Sequence, residues 1–173
     1  MDLRNYIREV PDWPKSGVNF YDVTTLMENP DAFRFAVDTL AGLFKEQQID
    51  KIVGIDARGF LFAAPVAYQL GVGLSIVRKK GKLPYKTLSK DYTLEYASNT
   101  IEMHEDTIKP GEKVVLIDDL IATGGTAVAA TELIEQMGGD IVGIGFLVDL
   151  PFLGGSEKLK KYKTYSLIQY HSE

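Results

Sequence analysis

The sequence predicts an α/β fold with a central, mostly parallel sheet flanked by helices. Two observations carry that expectation. Ile52-Val53-Gly54-Ile55, Leu74-Ser75-Ile76-Val77 and Val114-Val115-Leu116-Ile117 are short apolar runs, the pattern of strands buried on both faces. Segments with helical apolar spacing separate or follow them: Pro30 to Gln47, Phe60 to Leu70 and Ala127 to Met137. Strand–helix–strand alternation at this spacing makes right-handed βαβ units and a parallel sheet.

Leu3, Tyr6, Ile7 and Val10 read as a short amphipathic helix stopped by Pro11. Pro11 to Asp22 is rich in aromatics and turn residues, with Trp13, Pro14, Gly17, Phe20 and Tyr21. It is either a strap over a core edge or a lid whose aromatics stack on a flat ligand. Phe33, Val37, Leu40 and Phe44 form the core stripe of the next helix, with Pro30 suited to its first turn. Gly71 is placed to cap the Phe60–Leu70 helix. Leu83 to Met103 has no helical stripe and carries Tyr85, Tyr92 and Tyr96. An extended excursion or hairpin, partly mobile, is expected there. Pro110-Gly111 turns into the central strand, Gly138-Gly139 ends the following helix, and Ile141 to Val148 is another strand. Leu150 to Lys161 reads as loop and short helix, and Tyr165 to Tyr170 as a last strand.

The chemistry concentrates after Val114–Ile117. Asp118 and Asp119 stand where that strand would end, and Ala122-Thr123-Gly124-Gly125-Thr126 leads into a helix. Ligands of open α/β sheets sit at the carboxyl ends of strands. Glycines let backbone N–H groups approach a phosphate, the threonines add hydroxyls, and the helix start presents its positive end. The two carboxylates repel phosphate but suit sugar hydroxyls, which donate to them, or a bound cation. Phosphate on the loop and a diol on the acids describe a ribose 5-phosphate. Neither a Walker A loop nor the Rossmann Gly-x-Gly-x-x-Gly occurs. Arg58, beside Gly59 at the end of a second strand, suits an anion or a surface ion pair. Arg78-Lys79-Lys80-Gly81-Lys82 follows a third strand at the same sheet end, and a pyrophosphate fits this convergence of cations.

The Val114–Thr126 run resembles the thirteen-residue PRPP-binding signature of the type I phosphoribosyltransferases. Four further motifs narrow the resemblance to the adenine phosphoribosyltransferase family: Trp13 to Asp22, Ala57-Arg58-Gly59-Phe60, Arg78 to Pro84, and Leu94-Glu95-Tyr96. The resemblance runs from Tyr6 to about Tyr170. It implies one domain over 1–173 with the type I fold, a hood at about 1–30 and a mobile catalytic loop at about 83–103. It also implies transfer of a 5-phosphoribosyl group from PRPP to adenine, giving AMP and pyrophosphate. Asn19 and Tyr21 (backbone) and Phe20 (stacking) would bind adenine; Asp118 and Asp119 the ribose hydroxyls; Ala122, Thr123, Gly124, Gly125 and Thr126 the 5-phosphate. Arg58, Arg78, Lys79 and Lys82 would hold pyrophosphate. Glu95 would handle the N9 proton or the developing charge, and Tyr96 would help close the site. Mg2+ would arrive on PRPP rather than in a protein cage. A homodimer is implied, because the basic loop in this family can reach a neighbouring site. The chain departs from the family pattern at Tyr21 (usually Arg), Ala97 (usually Gly) and Lys80 (usually small or proline).

Composition narrows the alternatives. A length of 173 residues suits one domain, and 45% hydrophobic content is ordinary for a globular chain. A formal net charge of −5 argues against nucleic-acid binding. There is no cysteine, no apolar signal-like start and no run of membrane-spanning length, so a soluble cytoplasmic protein without a membrane partner is expected. His104 and His171 suggest neither a triad nor a metal site. The rivals are an oxopurine phosphoribosyltransferase, a non-catalytic PRPP-sensing regulatory module (which carries a DNA-binding domain that this chain has no room for) and a PRPP synthetase, which needs a longer chain.

Overall fold

The structure, a computed structural model, describes residues 1–94 and 97–172. The central strand β7 (Lys113–Ile121) has no exposed residue along its length. It lies parallel to β3 (Lys51–Ile55) on one side and β8 (Asp140–Asp149) on the other. β4 (Gly73–Lys79) extends the parallel sheet beyond β3, and β9 (Thr164–Gln169) extends it beyond β8. An antiparallel hairpin, β5 (Thr87–Leu94) and β6 (Ala97–His104), completes the edge through Arg78↔Glu102 and Lys79↔Ile101. The order is β5-β6-β4-β3-β7-β8-β9.

Alternation along β7 explains the layers. Val115 and Ile117 face α2 (Pro30–Phe44) and α3 (Arg58–Leu70), whereas Val114 and Leu116 face α4 (Gly125–Gln136). β3 feeds α3 and then β4 on one side, while β7 feeds α4 and then β8 on the other. The chain therefore reverses direction between β3 and β7, and their carboxyl ends open a crevice of the kind that binds ligands.

Several elements differ from the sequence reading. Leu3–Tyr6 is a single 3-10 turn capped by Asp2, and Arg8–Val10 is a strand, β1. β1 pairs antiparallel with β2 (Phe20–Asp22), matching Val10 with Phe20 and Arg8 with Asp22. The spacing of Leu3, Tyr6 and Ile7 suited a helix, but a strand partner ten residues downstream in sequence decides the outcome. A short helix, α1 (Thr24–Glu28), follows β2. β7 runs past both aspartates to Ile121, and Arg78 and Lys79 belong to β4 rather than to a loop. Among the described residues no helix is long and apolar enough to cross a membrane.

Candidate active site

Asp118 and Asp119 sit near the carboxyl end of β7, where burial makes two adjacent carboxylates costly. Asp119 is only 6% exposed, and Arg58 at the start of α3 meets it with Nε 2.6 Å from Oδ2. Asp118 accepts the Asp119 backbone N–H at 2.9 Å. Desolvation, followed by the charge of Asp119, pushes the Asp118 carboxyl well above the usual range. This proximity requires Gly59: a Cβ there would stand 2.6 Å from Asp118 Oδ1 and 3.3 Å from the Ile117 carbonyl oxygen.

The loop after β7 forms a cavity of about 190 Å³ lined by residues including Asp118, Thr123, Gly124, Gly125 and Thr126. Gly124 takes φ +83°, a conformation that glycine adopts without strain, and no side chain caps the α4 N-terminus. Its free N–H groups therefore make an anion site. The β5–β6 hairpin leans over this loop. Tyr92 Cδ2 lies 3.1 Å from where a Gly125 Cβ would be, and Lys90 pairs with Glu132 of α4 at 3.0 Å.

A second cavity of about 270 Å³ adjoins the first through Thr126 and is lined by Asp56, Arg78, Lys79, Tyr92 and Asn99 among others. Arg78 is held by Asp56, Nε to Oδ2 at 3.1 Å. Lys79 thus reaches the cavity with Arg78, while Lys82 is exposed and is not part of its lining. Arg58 lies apart from Arg78, between Asp119 and the hood. Its guanidinium carbon is 5.2 Å from the centre of the Phe20 ring, whose edge also meets Trp13 at 4.5 Å.

The hood side chains divide between two faces. Phe20 faces Arg58, whereas Tyr21 is buried and stacks on Tyr170 at 4.0 Å. Asn19 donates to Glu9 at 3.0 Å. Glu95 and Tyr96 lie outside the described residues. Among the described residues no three His, Asp or Glu side chains gather as a metal site.

Sequence reasoning missed Gly155 and Lys158, which back the loop from Ala122 to Thr126. Gly155 N–H donates to Ala122 O at 3.0 Å, and a Cβ on Gly155 would collide with that same carbonyl oxygen. Lys158 Nζ donates to Thr123 O at 2.7 Å. The Gly154-Gly155 pair was the one local signal available.

Residues 22–171 match the phosphoribosyl transferase domain family. The chain is 52% identical over 172 residues to the adenine phosphoribosyltransferase of Caldicellulosiruptor bescii, covering 99% of this chain and 98% of that protein. The chain belongs to the adenine phosphoribosyltransferase family. The crystal structure of the Thermoanaerobacter pseudethanolicus family member superposes with TM-score 0.94 at 46% identity, covering 98% of each chain. The Saccharomyces cerevisiae family member, solved with adenine and an imino-altritol bisphosphate, superposes with TM-score 0.90 at 38% identity, covering 96% of each chain.

The raised Asp118 carboxyl has a signed consequence for stability. A folded-state value above the unfolded one means that the native protein holds the extra proton, so stability falls as pH rises from the ordinary carboxylate range towards the folded value. Asp118→Asn keeps an acceptor for the Asp119 N–H and removes the buried charge. Urea titrations from pH 4 to 8 should show Asp118→Asn gaining on the native sequence as pH rises. A constant difference across that range would contradict this assignment.

Proposed function

We propose that this chain transfers the 5-phosphoribosyl group of PRPP to adenine, giving AMP and pyrophosphate, a purine-salvage step. The observation that carries the reading is the junction of an acid pair, a phosphate loop and a cationic cavity at one sheet crevice. The full-length similarity to adenine phosphoribosyltransferases supports the same reaction.

In this reading Ala122 to Thr126 and the α4 N-terminus hold the 5-phosphate, and Asp118 and Asp119 accept from the ribose hydroxyls. Arg78 and Lys79 hold pyrophosphate in the adjoining cavity, with Lys82 reaching it from the exposed turn. Adenine stacks on Phe20 and competes with Arg58 for that ring, which turns the guanidinium towards the leaving group. The buried Tyr21 side chain leaves only backbone there, and at Asn19, to read the base edge.

The C1–O bond to pyrophosphate breaks, its electron pair leaving with pyrophosphate, and the N9–C1 bond forms. The intervening carbon has oxocarbenium character. Catalysis therefore consists of fixed positive charge around the leaving group and exclusion of water. The β5–β6 hairpin, as part of a mobile loop at about 83–103, acts as the lid. Glu95 takes the N9 proton, and Tyr96 helps to close the lid. Mg2+ would arrive on PRPP rather than in a protein cage, with Asp118 and Asp119 the carboxylates that would face it. When bound it would neutralise leaving-group charge. Charged phosphate esters do not cross membranes, which supports a cytoplasmic setting.

A second copy is the natural partner. α3 exposes Leu61 and Tyr68, the latter 89% exposed, and Leu74 of β4 is also exposed. Exposed apolar residues on one helix support an interface there. Sedimentation should give a dimer that Tyr68→Glu weakens; a native-sequence monomer at micromolar concentration would remove the dimer from the account.

The reaction is tested by pyrophosphate release with PRPP and Mg2+ against adenine, hypoxanthine, guanine and xanthine. Turnover is expected with adenine alone. Activity with an oxopurine would move base specificity, and PRPP binding without turnover of any base would favour the regulatory module. Glu95→Gln should lower kcat about 10²–10⁴-fold with little change in PRPP affinity. An unchanged kcat would remove Glu95 from the chemistry.

A further inference from the structure

The phosphate loop has a rear wall, built by the residues that follow β8. Leu150 N–H donates to Ile121 O at 3.0 Å and Gly155 N–H to Ala122 O at 3.0 Å. The 3-10 turn Ser156–Leu159 is anchored by Leu159, which is fully buried. From this turn Lys158 reaches back, its Nζ 2.7 Å from Thr123 O. The loop from Leu120 to Ala127 contains no lysine or arginine, so all its own donors are neutral.

Peptide geometry gives the Lys158 contact a direction. The bond between Thr123 and Gly124 is trans, and in a planar trans peptide the N–H points opposite to the C=O. Holding the Thr123 carbonyl at the rear therefore aims the Gly124 N–H away from Lys158, and Gly124 itself lines the cavity. The ammonium charge also stays at the back of the loop, where it attracts a phosphate dianion without touching it.

We propose that Lys158 is a positioning residue for the ribose 5-phosphate, orienting the Thr123–Gly124 peptide and supplying the loop with the cation that its own sequence lacks. This inference rests on the proposed phosphoribosyl transfer. It assigns no new role to Arg78 and Lys79, which line the other cavity.

Calorimetry on the full-length protein with ribose 5-phosphate, AMP and pyrophosphate tests it. Lys158→Met should weaken ribose 5-phosphate and AMP about tenfold, the scale of one hydrogen bond to a charged group, and leave pyrophosphate unchanged. In steady state its KM for PRPP should rise while kcat and the KM for adenine hold. Lys158→Arg, which keeps donor and charge, should restore native affinity, and Lys158→Gln should fall between. Lys160→Met removes an exposed neighbouring cation and should change nothing. Native affinity in both Lys158→Met and Lys158→Gln overturns the inference, as does equal loss of pyrophosphate or an equal effect of Lys160→Met. A native protein that binds neither AMP nor ribose 5-phosphate overturns the functional reading and this inference together.

Discussion

Two adjacent carboxylates near the end of a buried strand are the constraint around which the rest of the site is arranged. β7 brings Asp118 and Asp119 to the point where the chain reverses direction across the sheet, and there Asp119 has almost no contact with water. Arg58 answers that charge directly. Because Arg58 opens α3, the helix must start close to β7, and Gly59 permits that approach. Arg58 also faces Phe20, so one guanidinium links the acid pair to the aromatic hood. The pair is costly to fold and useful to bind with, a trade expected at functional sites.

The same end of the sheet separates charges by loop. The segment after β7 offers neutral N–H donors and a helix end, with Lys158 behind it. The end of β4 offers Arg78, paired with Asp56, and Lys79. A ligand with a monophosphate at one end and a pyrophosphate at the other matches this division. Tyr92 from the β5–β6 hairpin packs close to Gly125, so the hairpin stands beside both cavities. The Lys90–Glu132 pair between this hairpin and α4 is about half-exposed and adds little stability.

The parallel strands and three of the helices were legible because their apolar patterning is local and strong. Gly71 takes the left-handed cap that its position suggested, at φ +68°. The acid pair and the Thr123–Thr126 loop were legible because residue type and spacing encode the chemistry within thirteen positions. What escaped the sequence depends on residues far apart in the chain. β1 exists because Phe20 pairs with Val10, which no window over Leu3–Val10 contains. The extension of β4 through Lys79 comes from β6, more than twenty residues later. Gly155 matters because Ala122 O presses against it, and Lys158 because Thr123 O lies within its reach. Tyr21 looked like a departure in the base site, yet its side chain belongs to the core against Tyr170.

The central claim is that Arg58 makes the buried acid at the end of β7 tolerable. A double-mutant cycle on unfolding free energy tests it most directly, combining Arg58→Met with Asp119→Asn. Arg58 is more than one-third exposed, so its loss should cost about 1–3 kcal/mol when Asp119 is present, below the cost of stripping a fully buried pair. In the Asp119→Asn background the same substitution should cost well under 1 kcal/mol, giving a coupling above the roughly 0.5 kcal/mol scatter of independent sites. Equal costs in both backgrounds would contradict the account and leave the acid pair stabilised by something other than Arg58.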